Sequence, residues 1–403
     1  MDNILLKQVA AVAEVQKAAA YHKQKQACIL TGLSQSSKPV FFAAVSELLE
    51  ENGSIAIVTS SREEIRAYRR ELNYLYPDLP MQELYPVNLP RIQADTQSLD
   101  LQAGRAAAFR FLQGEERGIV FITAESLQQK QLRPAQNGGK QLKLQVGEAQ
   151  EQQDVINQLI AFGYERTDQV DAIGQFCLRG DILDVFPINS NLPVRIEWFD
   201  AELDAMRTFD LDNQRSIKSL EQVKIAPLTT AVSEEYNADI FDYCVPSTLV
   251  IVDEPMLVFS MLDKLDKENK AHAAELFTKD AILEKCATTS VQLVSALSHS
   301  YLQELPALNI PVRSVAPYNK NISLLTEDLQ NWLADGITPM VMLSSSIKAR
   351  GFAENLHNYG VEGRYANLEF HPGVVNVMYG DLDHGFRFWD SSWLLLTEND
   401  IFG

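Results

Sequence analysis

The sequence predicts an α/β protein: a parallel-sheet domain with an inserted α+β module, followed by a second, smaller α/β domain. Three observations predict it. Short, nearly continuous apolar runs at 26–30 (QACIL), 54–59 (SIAIVT) and 118–123 (GIVFIT) have the length and composition of strands covered on both faces. Helical patterns separate them: PVFFAAVSELLEEN, SREEIRAYRRELNYLY and SLDLQAGRAAAFRFLQG. Strand alternating with helix implies parallel pairing through right-handed crossovers. Finally, a strand-rich stretch interrupts this alternation, which resumes near residue 247.

Taken in order, MDNILLKQVAAVAEVQKAAAYHKQKQ reads as an amphipathic helix without the basic start, compact apolar core and small-residue cleavage site of a secretion signal. After the third strand, PAQNGGKQ has turn chemistry. QLKLQV then alternates as a strand, and EQQDVINQLIAFGY forms one amphipathic helix ending at Gly163. Short strands and turns continue to VKIAPL (223–228). STLVIVDEPMLVFSMLDKL (247–265) is a buried strand feeding a helix. The portion from there to about Pro317 is less regular and reads as mostly helical. From Asn321 the order is helix (LLTEDLQNWLAD), strand (TPMVMLS), helix (SIKARGFAENLHNYG), strand (VVNVMYG), strand (SWLLLTE). The divisions expected are 1–130 and 229–318 for the interrupted first domain, 131–228 for the module and 319–403 for the second domain. Ending just after a strand, where a doubly wound domain continues with a helix, the chain reads as part of a longer protein.

At 403 residues the chain exceeds what one core usually serves. No run of 18 uninterrupted apolar residues is present, so no membrane span is expected. Cys28, Cys177, Cys244 and Cys286 show no CxxC pair and fit reduced, buried thiols of a cytoplasmic protein. The six histidines stand singly, which argues against a metal site. The formal net charge is −19, and 12 Asp/Glu face 4 Lys/Arg between Asp200 and Glu254. Such a field repels a polyanion and argues against tight DNA binding by this chain alone.

Two motifs sit where nucleotide chemistry would. TGLSQSSKPV (31–40) follows the first strand and precedes a helix, the place of a phosphate-binding loop. Gly32 and Lys38 fit that loop. Ser37 replaces the second glycine, whose freedom lets backbone curl around phosphate. Pro39 replaces the Ser/Thr, removing both the Mg²⁺-binding hydroxyl and an N–H, while suiting a helix start. In LVIVDEP (249–255), Asp253-Glu254 at a strand end has the form of a Mg²⁺- and water-orienting pair. Alone it reads better as an acidic cap on the helix after Pro255; on the same α/β domain as the broken phosphate loop it reads as the other half of a dead nucleotide site. No nucleophile–base arrangement is evident elsewhere.

The module's FCLRGDILDVFPINSNLPVRIEWFDAELDAMRTFD (176–210) carries the remaining candidates. In VRIEWFD, alternation puts Val194, Ile196 and Trp198 on one face and Arg195, Glu197 and Phe199 on the other. Phe199 is out of place on a polar face. It is either tucked under a neighbouring loop or an exposed contact of the Arg–aromatic kind in which interface energy concentrates. Arg179, before Gly180-Asp181, is either a docking residue or an internal ion-pair partner of Asp181 or Asp184.

These residues together resemble the N-terminal region of the bacterial transcription-repair coupling factors, itself similar to the excision-repair protein UvrB. The resemblance covers essentially the whole chain. It is most specific in RGDILDVFP, VRIEWFDAELDAMRTFD and the polar stretch ending at Gln214-Arg215, with LVIVDEP and HGFRFWDSSWLLLTENDIFG in support. It implies a degenerate helicase-like, UvrB-like fold in which the scaffold is kept but nucleotide turnover and damage probing are lost. Where UvrB has an aromatic hairpin, ELYPVNLPRIQADTQSLD offers only Tyr85. It implies that the module binds the damage sensor UvrA, with family contact residues matching Arg179, Arg195 and Phe199. In the full-length family protein a C-terminal module masks that surface. The RNA polymerase-binding domain and the ATP- and Mg²⁺-dependent DNA translocase motor would lie outside this chain. The expectation is a non-catalytic adaptor recruiting UvrA to stalled RNA polymerase, with Gly32, Lys38, Asp253 and Glu254 as a vestigial nucleotide site and no cofactor. The rivals are a UvrB-like DNA-dependent ATPase using those four residues, and a purely structural role locking the motor.

Overall fold

The computed structural model describes residues 3–49, 53–87, 99–132, 141–228, 236–295, 305–366 and 369–403. Its largest sheet has seven strands in the order Ala307–Asn309, Cys28–Thr31, Val291–Ser295, Leu249–Asp253, Ile55–Thr59, Ile119–Thr123, Met81–Leu84. Every neighbouring pair is parallel. The three apolar runs expected as strands are three of these, and Ile55–Thr59 and Ile119–Thr123 are buried along their whole length. Helices Ser37–Glu47, Arg62–Leu75 and Leu99–Leu112 form the crossovers. Ser61 and Glu64 close a capping box that fixes the start of the second.

Several elements differ from the sequence expectation, among them these three. The N-terminal segment is two helices, Ile4–Ala10 and Ala13–Lys23, not one; the Asn3 side chain caps the first. Met81–Leu84 is a short edge strand where none was expected. The portion before Pro317, expected to be mostly helical, contributes Val291–Ser295 to the middle of the sheet. Gln292 and Ser295 disguise that strand, yet both are buried. The Gln292 amide donates to the Ala18 carbonyl at 3.0 Å, which makes a polar side chain tolerable there.

The chain leaves and re-enters the scaffold at one point. Gln131–Leu132 pairs antiparallel with Tyr236–Ala238. Beyond this neck the module holds a six-stranded sheet in the order Ser216–Leu220, Glu202–Phe209, Val194–Phe199, Ile182–Val185, Gln175–Arg179, Glu165–Arg166. The helix Gln152–Ala161 and a hairpin of Leu142–Gln145 with Gln222–Ile225 supply residues to its core. That core includes Phe176, Leu183, Val185, Val194, Ile196, Trp198 and Met206.

The C-terminal part is a four-stranded parallel sheet, Gly363–Tyr365, Val375–Tyr379, Thr338–Leu343, Trp393–Thr397, with helices Ile322–Ala334 and Ser346–Leu356. Its last strand runs into the short helix Glu398–Phe402, whose capping box joins Thr397 and Asp400. Met340, Met342, Phe386 and Trp393 belong to the same apolar cluster as Leu5, Phe41, Phe42 and Leu72, so the two α/β parts share a core.

Glu71 lies at this junction, 6 % exposed, accepting the Asp383 backbone N–H at 3.4 Å beside the Arg70–Asp383 ion pair. Burial pushes its carboxyl up to about 7, against the lowering effect of that N–H. A folded-state value above the unfolded 4.5 means that the native chain holds the extra proton between the two. The stabilisation is therefore complete below about 4.5 and is lost as pH rises through about 7. Denaturant unfolding at stepped pH should show stability falling across this window in the wild type and much less in Glu71→Gln. At pH 8 the variant should be the more stable by on the order of 2–3 kcal/mol.

Candidate functional site

The module's sheet has a core-facing and an outward-facing side. Val194, Ile196 and Trp198 point into the core, and the Trp198 indole donates to the Gln150 carbonyl at 2.8 Å. Alternation then forces Arg195, Glu197 and Phe199 outward. Strand register extends the outward side across its neighbours. Cys177, Asp184, Arg195 and Arg207 lie in one cross-strand row, and Arg179, Ile182 and Glu197 in the next. Arg179, Arg195 and Phe199 therefore share one face, and Phe199 ends its strand.

The two halves of this face differ. Val170, Cys177 and Phe186 form a small apolar cluster with Ile173 and Leu211, so one half is covered. The Asp168 carbonyl accepts from Cys177 Sγ at 3.0 Å and from Arg179 Nη2 at 2.9 Å, which ties the covering segment down. The other half is open. Phe199 is 78 % exposed, and Ile182 beside Arg179 is also exposed. Phe199 is therefore not tucked under a neighbouring loop.

Arg195 sits at the border. Its Nε and Nη2 donate to the two oxygens of Asp184 at 2.7 and 2.8 Å, and Nη2 donates to Gln214 Oε1 at 3.3 Å. The guanidinium lies over the Phe209 ring, 4.7 Å from its centroid. The hydrogen bond to Asp184 holds the guanidinium above its ordinary value, against partial burial. Its carboxylate-facing edge is thus occupied within the chain, and Nη1 is the nitrogen directed elsewhere. Asp184 serves Arg195, so the internal pairing considered for Arg179 with Asp184 does not form; Arg179 is exposed and held by the Asp168 carbonyl.

The second candidate lies at the carboxyl ends of the scaffold strands, where ligands of open α/β sheets bind. Lys38 is 2 % exposed, and its ammonium donates to Asp253 Oδ1 at 2.7 Å and Glu254 Oε1 at 2.9 Å. Tyr68 Oη donates to Asp253 Oδ2 at 2.6 Å. Burial opposes the Lys38 charge, but the two carboxylates outweigh it and hold the ammonium above its ordinary value. Burial and then Asp253 push the Tyr68 hydroxyl well above its own, so it stays a donor. The loop amides are also used: Ser37 and Lys38 N–H both donate to the Ser34 carbonyl, at 3.0 and 3.2 Å, as does the Ser37 hydroxyl. Gly32 has φ +88°, and a Cβ there would meet the Ile310 carbonyl oxygen at 2.5 Å. It shapes the loop but does not join the ionic cluster.

Tyr85 lies under the Arg62 guanidinium, 5.1 Å from its centroid. Residues 88–98 of the stretch compared with an aromatic hairpin fall outside the described residues. Sequence reasoning did not assign Tyr68, Gln214 or Phe209 a role, and named Asp184 only as a partner for Arg179. Gln214 was visible as part of the polar stretch closing the module signature, whereas Tyr68 carried no signal beyond one aromatic on an amphipathic helix.

Residues 142–230 match the family described as the UvrB interaction domain. Over 94 % of its length the chain is 24 % identical to the transcription-repair-coupling factor of Bacillus subtilis (strain 168), of which it covers 39 %. It is 31 % identical over 51 % of its length to that of Staphylococcus aureus (strain MRSA252), and 32 % identical over 54 % to that of Staphylococcus haemolyticus (strain JCSC1435), in each case covering 18 % of the relative. The chain thus matches less than half the length of these curated relatives. Together the matches support the resemblance to the N-terminal region of the coupling factors.

The buried ion cluster sets a stability test. Lys38→Ala leaves Asp253 buried without its cation and should cost about 3–5 kcal/mol in urea unfolding. Tyr68→Phe removes only one donor to the same carboxylate and should cost about 1–3 kcal/mol.

Proposed function

We propose, for a chain that resembles the N-terminal region of a transcription-repair coupling factor, that it is a non-catalytic adaptor recruiting UvrA in transcription-coupled excision repair. In this reading 131–228 is the docking module, 1–130 and 229–318 are the scaffold that carries it, and 319–403 is the second α/β unit. RNA polymerase, DNA and a masking C-terminal module are engaged through parts of the coupling factor other than this chain. The observation that carries the reading is an exposed aromatic, Phe199, on one sheet face with Arg179 and Arg195. Phe199 enters an apolar socket on UvrA. Arg179 and the Nη1 edge of Arg195 donate to carbonyl or carboxylate oxygens around it, and Ile182 extends the apolar contact.

Support for the absence of catalysis comes from the scaffold loop. The cation that would meet phosphate carries two carboxylates, and two loop amides that would face phosphate close a turn instead.

Alanine at Phe199, Arg179 or Arg195 should each weaken UvrA binding by about 2 kcal/mol or more, roughly 30-fold, in calorimetry with the chain still folded. Binding unchanged in all three would sink the docking assignment.

A UvrB-like ATPase remains the second reading, because Lys38, Asp253 and Glu254 do meet at one strand end. It requires Lys38 to leave both carboxylates for phosphate, with Asp253 taking Mg²⁺. Titration with Mg²⁺-nucleotide separates the two: no saturable binding below about 1 mM is expected, and submillimolar affinity would overturn the adaptor-only reading.

A further inference from the structure

We propose that Asp184 is a positioning residue for docking: with Gln214 and Phe209 it locks the Arg195 guanidinium in one orientation, so that Arg195 presents only Nη1 to the partner. This rests on the docking reading above and specifies how its arginine works.

Asp184 is 4 % exposed, so the partner does not reach it. A buried carboxylate on the outward side of a sheet needs a reason, and its neighbours supply one. Both of its oxygens accept from Arg195, at 2.7 and 2.8 Å, in the bidentate geometry that fixes the guanidinium plane. Gln214 takes a further Nη2 hydrogen at 3.3 Å. Gln214 is itself held: its backbone has φ 59°, its N–H donates to the Asp210 carbonyl at 2.8 Å, and its side-chain amide donates to the Leu211 carbonyl at 2.9 Å. From below, the fully buried Phe209 ring stops the guanidinium from folding onto the sheet. Nε and both Nη2 hydrogens are thereby assigned, leaving the two on Nη1.

The consequence concerns the partner's chemistry. An arginine with a free fork grips a carboxylate through two parallel hydrogen bonds. Arg195 has already given that fork to Asp184. What it offers is a single amino edge with little rotational freedom, which suits a lone acceptor such as a backbone carbonyl or side-chain amide oxygen. The docking end also carries the exposed acids Asp181, Asp200 and Glu202 around Phe199, which disfavours an acidic surface opposite it. The partner surface therefore has an apolar socket ringed by carbonyl acceptors and cationic side chains.

The test is a double-mutant cycle on the full chain, with UvrA binding as the readout and thermal unfolding as the control. Asp184→Asn and Gln214→Ala should each weaken binding, the first by about tenfold or more, while leaving the further loss from Phe199→Ala intact. In an Arg195→Ala background both substitutions should have no further effect, because they act only through Arg195. Asp184→Glu should restore part of the loss. If Asp184→Asn unfolds the chain, the Gln214→Ala arm of the cycle decides alone, since that side chain is partly exposed and outside the module's core. Equal losses in the wild-type and Arg195→Ala backgrounds would overturn the positioning role, as would no loss in the wild type. A wild-type chain that does not bind UvrA, or one indifferent to Arg195→Ala, would instead overturn the docking reading and this inference with it.

Discussion

The scaffold depends on one buried contact, the Lys38 ammonium held by Asp253 and Glu254. It joins the loop after the first strand to the strand that returns from the module, residues 215 and 216 positions apart in sequence. Asp253 also accepts from Tyr68, which brings in the helix Arg62–Leu75. Two crossover helices thus converge on one carboxylate at the end of the strand Leu249–Asp253. Such a cluster is costly to bury, and it holds only because each charge finds a partner within 2.9 Å. Glu254 takes an unusual backbone conformation, φ 44°, at the start of the helix Pro255–Glu268. Its carboxylate thereby reaches Lys38 instead of remaining beside the amides of the helix it precedes. Backbone strain of this kind persists where surrounding contacts over-determine it.

The module repeats the theme with a different outcome. Asp184 and Arg195 are also a carboxylate and a cation removed from most solvent, but their pairing faces outward at the border of an open surface. In the scaffold the ion pair closes a loop on itself. In the module it stiffens a side chain that, under the proposed docking, would otherwise lose rotamer freedom on binding, a cost of about 0.5–1.5 kcal/mol per immobilised side chain. Phe199 needs no such help, since it has few rotatable bonds and large apolar area.

Sequence carried some of this and not the rest, for physical reasons. Strands such as Ile55–Thr59 and Ile119–Thr123 are apolar throughout because both faces are covered, and continuous apolarity is readable locally. Val291–Ser295 is equally buried but contains two polar residues, Gln292 and Ser295, and the partner of the Gln292 amide nitrogen is a carbonyl 274 residues away. Period-two alternation placed Arg195 and Phe199 on one face, because that relation lies within a single strand. That Arg179 joins them, and that Asp184 faces Arg195 instead of Arg179, follows from register between strands. The turn Gly180–Asp181 allows either pairing until the sheet is assembled. Tyr68 was silent for a similar reason: what matters is the distant carboxylate it meets.

The neck of the module explains how these two ion pairs keep separate roles. Entry and exit segments pair with each other, so the insertion begins and ends at one place and leaves the order of scaffold strands undisturbed. The module's core is almost wholly its own; of the described scaffold residues, only Ala103 joins its buried cluster. A unit with its own core has its surface geometry set internally. The orientation of Arg195 is thus decided by Asp184, Gln214 and Phe209, all within the module, and not by Lys38 and Asp253. A change in the scaffold loop therefore does not act on the proposed docking face through the residues that orient Arg195. Coupling between them would have to pass through contacts such as the paired neck, Ala103 and the hydrogen bond from Arg110 Nη2 to Asn191 Oδ1 at 3.3 Å, none of which touches Asp184, Gln214 or Phe209.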